Sequence, residues 1–204
     1  MAECSCEDAS AVDALVARQR GTLRAVLGIN AVMFVVIAAA ALYGRSSALL
    51  ADSLDNLGDA LTYALSLWAV ARGARVKARV ALFKGALILV AALAVIARVA
   101  WSLFVPLTPV FEVMGVFSLA GLLANSVCLY LLWRHRREDI NMSSVWECSR
   151  NDIASNLSVF AASGGIWLTG SAWPDTAVAL GLALLLVRSS LRVIGGARRE
   201  LRSE

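Results

Sequence analysis

Asp52, Asp55 and Asp59 stand in one apolar stretch, Ala51-Asp-Ser-Leu-Asp-Asn-Leu-Gly-Asp59, and Asp152 stands in another, after Cys148-Ser-Arg-Asn. Carboxylates survive at bilayer depth only where they face a protein interior and meet a partner, commonly a cation or a proton. Asp55 and Asp59 are four residues apart, as are Cys148 and Asp152, and on an α-helix that spacing stacks both side chains on one face. Two such helices set face to face offer three carboxylates and a thiolate. Four donors of this kind suit a tetrahedral divalent metal, zinc first among them. Asp52, Asn56 and Asn156 lie beside these faces as candidates for lining a pathway or hydrogen-bonding the ligands.

The elements that must position these groups are membrane helices. Of the 204 residues, 59% are hydrophobic and only 17% charged, against an average near 25% in soluble domains. The mean hydropathy is +0.72. Six windows approach the roughly 20 residues needed to cross a hydrocarbon core of ~30 Å. They are Thr22–Leu42, Ala48–Val70, Ala81–Phe104, Phe111–Trp133, Val145–Leu168 and Thr176–Ile194. The expected fold is therefore an all-α integral membrane protein with six transmembrane helices. Residues 1–21 form an N-terminal tail, 22–195 the transmembrane transport domain, and 196–204 a short basic stub.

A net charge of +4 and a pI near 9.2 raise the question of nucleic acid, and the distribution of the basic residues answers it. Arg18, Arg20 and Arg24 precede span one; Arg72, Arg75, Lys77 and Arg79 follow span two; Arg134, Arg136 and Arg137 follow span four; Arg188, Arg192, Arg198, Arg199 and Arg202 close the chain. The alternate loops hold only Arg45. This is the positive-inside pattern and puts both termini in the cytoplasm. Contact with the lipid bilayer is implied, and no nucleic acid is.

The tail carries Glu3, Glu7, Asp8 and Asp13, unlike the basic start of a secretory signal. Lacking apolar periodicity, it reads as unstructured, with Cys4 and Cys6 as a possible point of metal capture. Lys84 reads first as a snorkelling ammonium and second as a counter-ion to the acids. Arg98 and Trp101 read as interface anchors, Asn125 and Cys128 as lining or packing groups. His135, the only histidine, falls among arginines and carries no ligand signature. Ser144-Val-Trp-Glu147 fits a capping box, yet Cys148 would then lie too near the surface, so span five is expected to begin a turn or more earlier. Trp173-Pro-Asp175 signals a helix start, and Gly195-Gly196 its end.

With its paired motifs Asp55-Asn-Leu-Gly-Asp59 and Cys148-x-x-x-Asp152, and the lead-in Ser46-Ser-Ala-Leu-Leu-Ala-Asp52, the chain resembles the cation diffusion facilitators. These are six-span exchangers of divalent metal for protons. The resemblance implies Asp55, Asp59, Cys148 and Asp152 as the metal ligands, with Cys148 where histidine is usual. It implies transport and not enzyme activity, no cofactor, and Zn²⁺ as transported substrate with Cd²⁺ next, since a thiolate softens the donor set. It also implies a homodimer and, with the topology, the bacterial inner membrane. The chain looks like a branch without the cytoplasmic domain that usually follows span six. Two rival readings are a metal-dependent intramembrane transferase and a membrane scaffold. The first needs an Asp-x-x-Asp-Gly-x-x-Ala-Arg context that is lacking, and the second would set bases against the acids on the site helices.

Overall fold

An apolar solvent cannot satisfy open backbone hydrogen bonds, so a chain of this composition is confined to helices that satisfy their own. Among the residues it describes, a computed structural model of the protein shows six: α1 (Ser5–Tyr43), α2 (Ser47–Ala69), α3 (Ala74–Phe104), α4 (Phe111–Trp133), α5 (Ile140–Thr169) and α6 (Trp173–Arg202). The structure describes residues 5–69, 74–105, 108–133 and 140–202, with no strand among them; for 5–19, 66, 69, 74, 77 and 140–151 it describes the backbone alone. Among the described residues, four helices hold stretches long and apolar enough to cross a membrane: Arg20–Tyr43, Ala78–Phe104, Phe111–Trp133 and Trp173–Arg202. α2 has the same 23-residue length as α4 and differs in carrying three aspartates.

Two boundaries depart from the sequence reading, and a third agrees with it. α1 starts at Ser5, so most of the expected unstructured tail is helical. Alanines in the tail are strong helix formers, and Glu7 and Asp8 sit at the positive end of the helix dipole. α6 continues through Gly195-Gly196 to Arg202. Each glycine costs about 1 kcal/mol in a helix interior, and Arg199 and Arg202 in the last turn favour the negative end of the dipole. α5 starts at Ile140, which puts Ser144–Glu147 inside the helix and not at its cap, and carries Cys148 deeper, as expected.

The bundle is apolar outside and, within, sets buried carboxylates and carboxamides among apolar packing. Tyr43, Phe104 and Tyr130 are 80%, 83% and 80% exposed, alongside Val35, Val90, Leu123 and Leu185; such a surface suits acyl chains. Trp101, Trp167 and Trp173 sit exposed near one end and Trp68 and Trp133 near the other, as interfacial belts do. The helices pack chiefly as α1 on α2, α3 on α6 and α4 on α5. Gly85 lets α3 approach α6 closely, since a Cβ there would lie 2.7 Å from Ile194 Cγ1. An apolar core of Ile37, Leu49, Val95, Met114, Val159 and Ala183 fills the bundle where α1 turns into α2.

That turn fixes where α2 begins. Arg45 takes a left-handed φ of 55°, and Ser46 then caps α2, its Oγ accepting the Leu49 N–H at 3.0 Å. Its hydroxyl proton is donated to Asp175 Oδ1 at 2.5 Å. The Ser47 and Ala48 N–H groups donate to Asp175 Oδ2 at 2.9 Å and Oδ1 at 3.1 Å. One carboxylate at the start of α6 thus satisfies the open amides at the start of α2. Arg98 reaches the same knot from α3, its Nε donating to Ser47 Oγ at 3.4 Å, so it binds protein as well as lying near the interface.

Candidate metal site

From the start of α2, a rise of 1.5 Å per residue carries Asp52 about 7 Å, Asp55 about 12 Å and Asp59 about 18 Å into the bundle. Asp52, Ser53, Asn56 and Asp59 are all buried. At 1% exposure Asp52 is not a solvated interface residue. Asp59 Oδ2 accepts a hydrogen bond from the Tyr63 hydroxyl at 2.8 Å, one helical turn on. α5 supplies the facing group. Asp152 is 7% exposed, flanked by buried Ser155 and Asn156.

The two helices bring the carboxylates into one place. Asp152 faces Asp55 and Asp59 across a shared cavity. All three line a cavity of about 510 Å³, walled also by Ser155 and Ser158 of α5 and by Leu182, Leu186, Arg188 and Arg192 of α6. Bare carboxylates gathered on one cavity repel each other, and a proton or a cation between them relieves the repulsion. The cavity therefore attracts positive charge.

Of the residues singled out by sequence, Asp55, Asp59 and Asp152 meet in this cavity. Asp52 lies nearby without lining it, and its Oδ2 has no hydrogen-bond partner among the described residues. Asn56 and Asn156 use their amide groups to donate to the Asp52 and Asp152 backbone carbonyls at 3.0 and 2.9 Å, one turn back. Cys148 sits on α5 four residues before Asp152, but its side chain lies outside the described residues, as does that of Cys6. Cys4 and His135 lie outside them entirely. Among the described residues no three His, Cys, Asp or Glu side chains form a group that could hold a metal ion.

Several contributors were not read from the sequence. Tyr63 follows Asp59 by four residues, so the same-face spacing was present, but tyrosine near a helix end resembles an interface anchor. Lys84 is half-buried on α3 and donates to Thr62 Oγ1 on α2. The Thr62 contact ties the Lys84 ammonium to α2, so it does not snorkel freely. Arg188 and Arg192 read as part of the basic end of the chain, and the fold turns them toward the acidic cavity. α2 and α5 carry no base on their acidic faces, yet α3 and α6 bring bases close.

Residues 23–201 match the family model described as the cation efflux transmembrane domain. A comparison with individually curated proteins finds no match.

Proposed function

The chain belongs to the cation efflux family, and from that premise we propose that it exports a divalent transition metal, Zn²⁺ first and Cd²⁺ second, in exchange for protons. The observation that carries this reading is the convergence of Asp55, Asp59 and Asp152, from two helices, on one cavity inside an apolar bundle. Asp55, Asp59 and Asp152 are the carboxylate ligands in this proposal, and Cys148, one turn before Asp152, is the fourth donor. Asp52 belongs to the exit path and Asn156 holds the start of α5's acidic face in register. Cys4 and Cys6 act upstream, raising the local metal concentration. The protein is on this account a transporter with no resident cofactor and no catalytic residue.

Exchange follows from the donor set. Carboxyl groups packed together away from water cannot all ionise, so the metal-free site keeps protons that an arriving cation displaces. A thiolate beside three carboxylates favours Zn²⁺ and Cd²⁺ over the harder Mn²⁺ and Mg²⁺. The bundle crosses the membrane six times with both termini cytoplasmic, works as a homodimer in a bacterial inner membrane, and exposes the site to each side in turn. Uptake of individual metals into proteoliposomes tests the reading. Asp59→Ala and Asp152→Ala should each abolish zinc uptake at equal reconstituted protein, and uptake at the wild-type rate by either variant would refute the site.

A further inference from the structure

The cavity at the carboxylates is larger than a metal ion needs, and it carries both signs of charge. Its volume of about 510 Å³ falls among pockets that take small molecules, roughly 300–1,000 Å³, whereas a zinc ion is held by a few donors at ~2 Å. Asp55 and Asp59 line it from α2, Asp152 from α5, and Arg188 and Arg192 from α6. Asp59 and Asp152 are buried, as are Leu182 and Leu186 of the same wall, while both arginines are exposed. The acids therefore mark the inner end of the cavity and the guanidinium groups its mouth.

That mouth has a direction. α6 starts at the Asp175 knot, and a rise of 1.5 Å per residue carries Arg188 about 22 Å and Arg192 about 28 Å from Trp173. This nearly spans a hydrocarbon core of ~30 Å. The opening thus lies at the end of the bundle where α1 begins and α6 ends, the loading side of an exporter with cytoplasmic termini. Two guanidinium groups there oppose the entry of a bare cation, since a cleft lined by one sign of charge gathers ions of the other. Among the described residues Asp55, Asp59 and Asp152 are the only acids in the cavity wall, and neither arginine has a hydrogen bond or an ion pair with them or with any other group. Arg188 and Arg192 are four residues apart, so both reach out from one face of α6. Each presents a planar fork of N–H donors that fits a carboxylate. Arg198, Arg199 and Arg202 continue α6 beyond the cavity wall and supply the topological bias without them.

We propose that the cavity loads its metal as a complex with a small polycarboxylate chelator, Arg188 and Arg192 holding the chelator's carboxylates at the mouth while Asp55, Asp59 and Asp152 take the cation. The inference rests on the reading above that metal is transported through this cavity. A divalent cation wrapped by three carboxylates is negative overall, so the arginines that repel the bare ion attract the complex. In the hand-over a bond from zinc to a chelator oxygen breaks as one to an aspartate oxygen forms. The released carboxylate keeps its electron pair and stays with the guanidinium groups. Oxygen donors on both partners make this an exchange between like ligands.

Zinc uptake is measured in proteoliposomes of phosphatidylcholine, whose headgroup carries no net charge and so leaves the chelator as the anion on offer. Free Zn²⁺ is held constant while the complex is increased, either zinc citrate, which is anionic, or zinc triethylenetetramine, which is cationic. Wild-type uptake should rise and saturate with zinc citrate and stay level with the polyamine complex. Arg188→Gln combined with Arg192→Gln should need about a hundredfold more zinc citrate for the same rise, about tenfold for each guanidinium, the scale of a charge-assisted hydrogen bond. Equal responses of the wild-type chain to the two complexes would overturn the inference and leave metal transport standing, as would an unaltered citrate response in the double variant. Zinc that enters neither from a complex nor as the free ion would overturn the transport reading as well. Should the double variant fail to fold, the comparison of the two complexes on the wild-type chain still decides.

Discussion

Alanine at position 175 should unfold the start of α2, although Asp175 lies on another helix. All three of its partners donate: the Ser46 hydroxyl at 2.5 Å, the Ser47 amide at 2.9 Å and the Ala48 amide at 3.1 Å. Asp175 is 3% exposed, so its removal leaves two amides in a place that water reaches poorly. Each buried amide left unpaired costs about 1–3 kcal/mol, and the variant recovers part of the several kcal/mol spent in burying a carboxylate. The net expectation is a loss of about 2–4 kcal/mol, in the upper range for a single substitution. Asp175→Asn should cost nearly as much despite its shape, because its NH₂ group would face an N–H donor. Reversible unfolding in mixed SDS micelles, followed by tryptophan fluorescence, measures both variants. If either lies within about 0.5 kcal/mol of wild type, as an inconsequential surface change would, the capping argument is wrong.

Other substitutions separate the roles of neighbouring groups. Tyr63→Phe removes the 2.8 Å hydrogen bond to Asp59 and should raise the zinc concentration for half-maximal uptake by about tenfold, the usual scale for a residue that orients a ligand; unaltered concentration dependence would show that the hydroxyl does not orient Asp59. Gly121→Ala forces Asn156 away from α4, because the new Cβ would lie 2.1 Å from its Oδ1, whereas Gly181→Ala meets nothing within 4 Å and serves as control. Uptake should fall in the first and hold in the second, and equal rates would refute the close approach of α4 and α5. Cys148→His should preserve transport and shift preference from Cd²⁺ toward Zn²⁺, while Cys148→Ser should weaken both. If the serine variant transports both metals normally, the thiol is not a ligand.

How much could be read in advance depended on whether a relationship was local or tertiary. The Asp55–Asp59 and Cys148–Asp152 pairs were legible because four residues make one helical turn. The meeting of Asp152 with Asp55 and Asp59 was inferred from paired motifs, and the shared cavity brings those carboxylates together. Asp175 read only as a helix-start residue, since its partners lie 127 to 129 positions away in sequence and no local pattern links them. Arg188 and Arg192 read as topology, because the positive-inside pattern accounts for basic residues at a helix end without asking which way they face. Helix ends were misjudged where apolar periodicity stopped before the helix did, at Ser5 and at Arg202. There the backbone follows helix propensity and end charges, which the search for membrane-length apolar windows does not register.

The central claim, that carboxylates in a shared cavity trade protons for metal, is tested most directly by a zinc pulse on proteoliposomes containing a pH-sensitive dye, with the membrane potential clamped. Zinc uptake should be matched by proton movement in the opposite direction, and an imposed pH gradient should drive zinc against its own gradient. Asp59→Ala should silence both signals. Zinc that crosses while internal pH stays flat, at a rate indifferent to the imposed gradient, would contradict exchange and leave passive conduction in its place.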